Sequence, residues 1–120
     1  MAARLSKSKL IAALQCERRL WLEIHRPGLA QVSAATRAAF SQGHAVGDVA
    51  QTLYSATHGE GHLLEYDGGL GAALSLTKRL LADAADTRPL YEATFQHQGI
   101  LVRLDVLLRD PAGVHLIEVK

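Results

Sequence analysis

The hydrophobic period of this 120-residue chain changes once, near Pro89, and that change constrains the fold more than any other feature. Before it, apolar residues recur at spacings of three and four, the pattern of helices that bury one stripe. After it, apolar and polar residues alternate in steps of two, as in half-buried strands. Helices first and consecutive strands afterwards predict an α+β arrangement: N-terminal helices packed on a small, mostly antiparallel sheet. At this length the chain makes a single domain, helical over 1–88 and a β-meander over 90–120. Its 48% apolar and 21% charged residues are the balance of a globular chain and exclude a disordered one.

In the helical part, Ser6 or Ser8 caps a first helix reaching about residue 25, with Leu10, Leu14, Trp21 and Ile24 on one side; Arg26-Pro27-Gly28 ends it. Ser33 caps a second helix reaching about residue 57, with Phe40, Val46, Val49, Ala50 and Leu53 on its apolar face. Gly43 and Gly47 lie one turn apart inside it. Glycine costs about 1 kcal/mol relative to alanine there, so the pair implies a close backbone approach or a weak helix. A glycine-rich stretch over 58–71 follows, with a short strand expected over 62–66. Leu70, Leu74, Thr77, Leu81 and Ala84 then mark a third helix.

The strand part reads as 91–96, a turn at His97-Gln98-Gly99, 100–108, a turn at Asp110-Pro111-Ala112-Gly113, and 114–120. Alternation sets Ile100, Val102, Leu104, Val106 and Leu108 on one face and Leu101, Arg103, Asp105 and Leu107 on the other. Arg103 and Asp105 interrupt an otherwise apolar strand, and Glu118 and Lys120 interrupt the last one. A carboxylate drawn into such a strand must be paired, hydrogen-bonded or bound to a metal. A two-residue turn at Pro111-Ala112 sets Asp105 directly opposite Glu118, about 4.5 to 5.5 Å between Cβ atoms. A turn closed by a bulge at Gly113 opposes Asp105 to Val119 instead. Both registers suit the sequence.

Charge is uneven: residues 1–26 carry six Lys/Arg against two Glu, net +4, and the remainder is slightly acidic. Lys7, Lys9, Arg18 and Arg19 are therefore candidates for nucleic-acid contact, while a solvated face of an amphipathic helix has the same appearance. No apolar run reaches the ~18 to 20 residues of a membrane span, and the N-terminus lacks a signal-peptide pattern, so a cytoplasmic protein is expected. The single Cys16 excludes an intrachain disulfide and a metal site built from this chain's cysteines alone.

Asp105, the turn, and Ile117-Glu118-Val119-Lys120 resemble the D…(D/E)xK signature of the PD-(D/E)XK nuclease superfamily. Three segments resemble its RecB-like branch, which includes CRISPR-associated exonucleases. Leu5-Ser6-Lys7-Ser8-Lys9-Leu10 followed by Gln15-Cys16-Glu17-Arg18-Arg19-Leu20-Trp21 is similar to the opening helix, where the cysteine is the first ligand of an iron–sulfur cluster. Tyr91-Glu92-Ala93-Thr94-Phe95 resembles the first core strand with its glutamate. Gly43-His44-Ala45-Val46-Gly47 resembles the helix with a metal-binding histidine, except that the branch sets the histidine where Gly47 stands here.

The resemblance implies a restriction-endonuclease-like core with Asp105, Glu118 and Lys120 as catalytic residues, and His44, Glu92, Asp105 and Glu118 as ligands of Mg²⁺ or Mn²⁺. It implies DNA as the partner, and Cys16 as one ligand of a 4Fe-4S cluster in the full-length protein. Two hard carboxylates suit such an ion, which activates water and stabilises charge at a phosphodiester. Against this family's pattern the chain stops before the last core elements and the further cluster cysteines. The expectation is an N-terminal part of a longer protein, by itself inactive, a weak metal binder, and prone to self-association through an exposed strand edge.

Plainer readings stand beside this one. Asp105, Glu118 and Lys120 can form an ion-pair ladder with Arg103, worth under about 1 kcal/mol if exposed. His58 and His62 have the spacing of a zinc helix, but Gly59 and Gly61 break the helix such a site needs. Phe40, Tyr54, Tyr66, Tyr91 and Phe95 read as core, and Cys16 as a small buried residue. The rival function is a non-catalytic nucleic-acid-binding or interaction module with a degenerate core.

Overall fold

The change of period at Pro89 is where the chain enters its sheet. A computed structural model describes residues 5–65 and 67–120; Tyr66 and the end of the expected 62–66 strand lie outside the described residues. Strand β3 (Leu90–His97) pairs antiparallel with β4 (Ile100–Asp110), from Leu90 opposite Leu107 to His97 opposite Ile100. Gln98 and Gly99 make the turn with φ of 48° and 79°, the left-handed pair that matches the twist of a two-residue hairpin. Strand β5 (Gly113–Ile117) returns along β4, with Asp110 opposite Gly113 and Val106 opposite Ile117. This is the register of the two-residue turn, not the bulged one. Asp110 fixes it by accepting N–H bonds from Ala112 (2.8 Å) and Gly113 (3.1 Å). The outer edge of β5 leaves Val114 and Leu116 exposed.

The meander is extended by two short strands from the helical part, both parallel, so the sheet is mixed. Strand β1 (Leu5–Ser6) pairs with β4 at Ile100 and Leu101, and β2 (His62–Leu63) pairs with β3 at Leu90 and Tyr91. The order is β1-β4-β3-β2, with β5 also on β4. The architecture is α+β.

The expected first helix is two. Helix α1 (Lys7–Gln15), capped by Ser6, and α2 (Glu17–His25) are separated by Cys16 in an extended conformation (φ −167°, ψ 117°). No glycine or proline marks this break, so periodicity runs through it. Helix α3 (Ala34–His58) begins at the Ser33 cap, whose hydroxyl accepts from Thr36 N at 3.1 Å, and α4 spans Gly69–Ala82.

The core lies between α4 and the sheet. Leu64, Leu90, Ala93 and Leu107 are buried together, with Leu76, Leu80, Leu81, Phe95 and Leu104 against them. Thr77 ties the layers: its hydroxyl donates to Ala73 O (2.8 Å) and accepts from Thr94 N (3.0 Å). Arg109 closes the end of α4, its Nη1 donating to the carbonyls of Leu80, Leu81 and Asp83 at 3.2 to 3.4 Å. Helix α3 is different, for only Ala50 of its 25 residues is buried. Phe40 is 61% exposed, contrary to its expected place in the core, and Val49 and Leu53 are also exposed. Tyr91 provides α3's polar attachment, with its hydroxyl 2.8 Å from Ser55 Oγ and donating to Gln51 O at 3.1 Å. Among the described residues no helix is long and apolar enough to cross a membrane.

Candidate active site

The hairpin loses its regularity at Glu92. Tyr91 pairs with Val106 and Ala93 with Leu104, but Glu92 and Asp105 between them are not register partners. Glu92 has φ of 61°, a left-handed conformation that costs a non-glycine residue on the order of 1–3 kcal/mol and clusters at functional sites. The irregularity exchanges faces. Leu90, Ala93, Phe95, Leu104 and Leu107 belong to the core against α4, while Glu92, Asp105 and Val106 face α3. The expected strict alternation, with Leu104 and Val106 together and Asp105 and Leu107 together, is corrected here: the flip at Glu92 puts Asp105 and Val106 on one side.

A cleft of about 110 Å³ results, lined by Glu92 and Asp105 from the hairpin, Gly43, His44 and Gly47 from α3, and Val119. A Cβ at Gly43 or Gly47 would meet nothing within 4 Å. The two glycines therefore leave space in front of the acids and serve no close contact among the described residues. Beside it lies a cleft of about 310 Å³ lined by Ser6, Lys7, Ser8, Arg103, Asp105 and Glu118, among others. Asp105 is the wall common to both.

Each acid has a partner. Asp105 accepts the Val119 N–H at 2.8 Å, Arg103 Nη2 lies 3.1 Å from Glu92 Oε2, and Lys7 Nζ donates to Glu118 Oε1. The two ion pairs are about half exposed, so each is worth at most about 1 kcal/mol. Strand β5 ends at Ile117, and Glu118 and Lys120 lie beyond it. Glu118 is consequently not a ladder partner of Asp105 as expected, although both line the larger cleft. Lys120 is exposed and lines neither cleft. Of the ladder of Asp105, Glu118 and Lys120 with Arg103, the structure gives instead the pairs Arg103–Glu92 and Lys7–Glu118.

The donor chemistry here suits a hard divalent ion: oxygen from Glu92, Asp105 and Glu118, with the His44 imidazole across the smaller cleft. The expected four-residue set is not gathered, however. Among the described residues no group of three or more His, Cys, Asp or Glu is placed to hold a metal. Arg103 occupies Glu92, Lys7 occupies Glu118, and His44 is exposed on α3.

Cys16 is exposed, not the buried small residue of the plainer reading. It sits at the α1–α2 break, lining a cavity of about 420 Å³ with Arg18, Arg19 and Arg26. A 4Fe-4S cluster does not fit this chain alone, which supplies one thiol. The basic residues fall on two helices rather than one face: Lys7 and Lys9 on α1, Arg18 and Arg19 on α2. Arg19 is engaged, its Nε 2.9 Å from Glu23 and its Nη1 donating to Gln15. His58 and His62 do not converge; His58 bonds Thr57 (2.7 Å), and His62 bonds Asp86 (2.7 Å).

Two arrangements escaped the sequence. Lys7 reaches Glu118 across 111 residues because β1 lays the start of α1 along β4, and a two-residue parallel strand has no periodic signature. Asp86 accepts from Arg88 Nε (3.0 Å) and Nη2 (2.8 Å) as well as from His62 Nε2. The Arg88 guanidinium, then His62, hold the Asp86 carboxyl well below the usual carboxylate range, and Asp86 in turn raises Arg88. The spacing Asp86-Thr87-Arg88 before Pro89 was the available clue. No family model matches the chain, and no curated protein or solved structure matches it either.

Proposed function

We propose that this chain carries the acid-bearing hairpin of a metal-dependent nuclease acting on phosphodiester bonds, DNA in the first place. The supporting observation is the unpaired rung at Glu92 and Asp105, where a left-handed residue in mid-strand sets two acidic residues in the lining of one small cleft with His44. The same flip gathers Leu90 and Leu107 with Ala93, Phe95 and Leu104 in one core, so the strained residue serves packing as well as the cleft. Asp105 and Glu92 are the residues that would hold Mg²⁺ or Mn²⁺, with His44 across the cleft and Glu118 once it has left Lys7. The bound ion would supply a more acidic water and charge stabilisation at phosphorus. The Val119 N–H orients the Asp105 carboxylate by engaging Oδ2. Lys120 lines neither cleft, so its role as a point charge at the phosphate requires the chain after β5 to turn toward the acids.

A plasmid-cleavage assay of the full-length protein with Mg²⁺ or Mn²⁺ tests this reading. Cleavage abolished by Asp105→Asn, with an unchanged thermal melt, is the expected result. Nucleic-acid binding with no metal-dependent cleavage, indifferent to Asp105→Asn, would favour the alternative module. The observation on that side is that Glu92 and Glu118 are each neutralised by a cation of the chain itself.

A further inference from the structure

The larger cleft is built from residues far apart in sequence and is not explained by the acids alone. Strand β1 pins its entrance: Leu5 N donates to Gly99 O at 2.9 Å, and Leu5 and Ser6 lie opposite Ile100 and Leu101. Ser6 then caps α1, accepting from Lys9 N at 3.3 Å, so Lys7 begins the helix at a fixed place beside β4. Its ammonium sits on Glu118, and with Ser6, Ser8, Arg103 and Asp105 it lines a space large enough for a phosphodiester group. Lys7 and Glu118 are both about half exposed, and an ion pair of that kind exchanges partners readily.

We infer that Lys7 is a substrate-positioning residue: its ammonium takes a phosphate of the nucleic-acid strand beside Asp105, and Glu118 holds it until then. This deepens the nuclease reading and rests on it. A lysine suits the task because its compact charge can pass from a carboxylate to a phosphate by rotation of its stem. The hydroxyls of Ser6 and Ser8, hydrogen-bonded to each other at 2.9 Å, leave one O–H on the same wall as a further donor. The exchange also frees Glu118 at the moment the substrate arrives. Strand placement and release of the third acid are thereby coupled.

The test is a double-mutant cycle on the 120-residue chain, read as binding of a fluorescent single-stranded oligonucleotide in EDTA across a salt series. Lys7→Gln should weaken binding about two- to fivefold and lower the salt slope by about 0.7. Lys7→Arg should restore both. Glu118→Gln should tighten binding by a similar factor, and that gain should vanish in the Lys7→Gln background, because the released ammonium is its source. An equal gain with and without Lys7 would show simple removal of a negative charge and overturn the inference. If cleavage still depends on Asp105 in that case, the nuclease reading survives alone. Absence of oligonucleotide binding in every variant would sink both. Circular-dichroism melts establish that the variants are folded.

Discussion

Glu92 and Asp105 lie across from each other on adjacent strands, between two paired rungs, yet are not themselves paired, and both residues line the same cleft. The arrangement depends on a backbone conformation that glutamate disfavours.

That dependence is measurable. Glu92→Gly and Glu92→Ala both remove the carboxylate and its contact with Arg103, but only glycine accepts φ of 61° without penalty. Urea unfolding should find Glu92→Gly more stable than Glu92→Ala by about 1–2 kcal/mol. Equal stability would mean the left-handed conformation is absent in solution.

Three glycines should part company. A Cβ on Gly61 would meet Tyr91 Cε2 at 2.5 Å and Pro89 O at 2.6 Å, so Gly61→Ala should destabilise by about 1–3 kcal/mol through overpacking. Gly43→Ala and Gly47→Ala meet nothing and should stabilise α3 by up to about 1 kcal/mol. Thermal melts of the three variants check the contrast.

Arg109 should matter more for its fork than for its charge. Its guanidinium spans the carbonyls of Leu80, Leu81, Asp83 and Asp86, which a lysine cannot span. Denaturation should show Arg109→Lys and Arg109→Met both destabilised, on the order of 1–3 kcal/mol. Full retention of stability in Arg109→Lys would contradict a role in closing α4.

Asp86 predicts an acid-dependent term. Its folded-state carboxyl is depressed, first by Arg88 and then by His62, so its contribution is complete above the ordinary carboxylate value of about 3.9. It is lost as pH falls below that value toward the folded one. In a pH series of urea melts, Asp86→Asn should cost stability at neutral pH, and the difference from wild type should shrink below about pH 4. A constant difference would refute the linkage.

The sequence revealed those parts of the fold that rest on period and turn chemistry. Asp110-Pro111-Ala112-Gly113 and His97-Gln98-Gly99 marked both hairpins, and Ser33 marked the start of α3. Three features were hidden because no local pattern encodes them. The break at Cys16 uses an ordinary residue in an extended conformation. Strands β1 and β2 are two residues each and acquire their identity from distant partners. At Glu92 a single dihedral reverses which residues share a face, and period-two reasoning carries straight through it. Asp105 could be singled out as an acid in an apolar strand and Glu92 through the resemblance of its strand, whereas Lys7 acquires its place at the site only through β1.

The most direct measurement is a Mn²⁺ titration of the 120-residue chain followed by electron paramagnetic resonance of the free ion. Weak, saturable binding is expected, lost in Asp105→Asn, the residue common to both clefts, and weakened in Glu92→Gln. Binding that is absent in the wild type, or unchanged in Asp105→Asn, would contradict the nuclease reading.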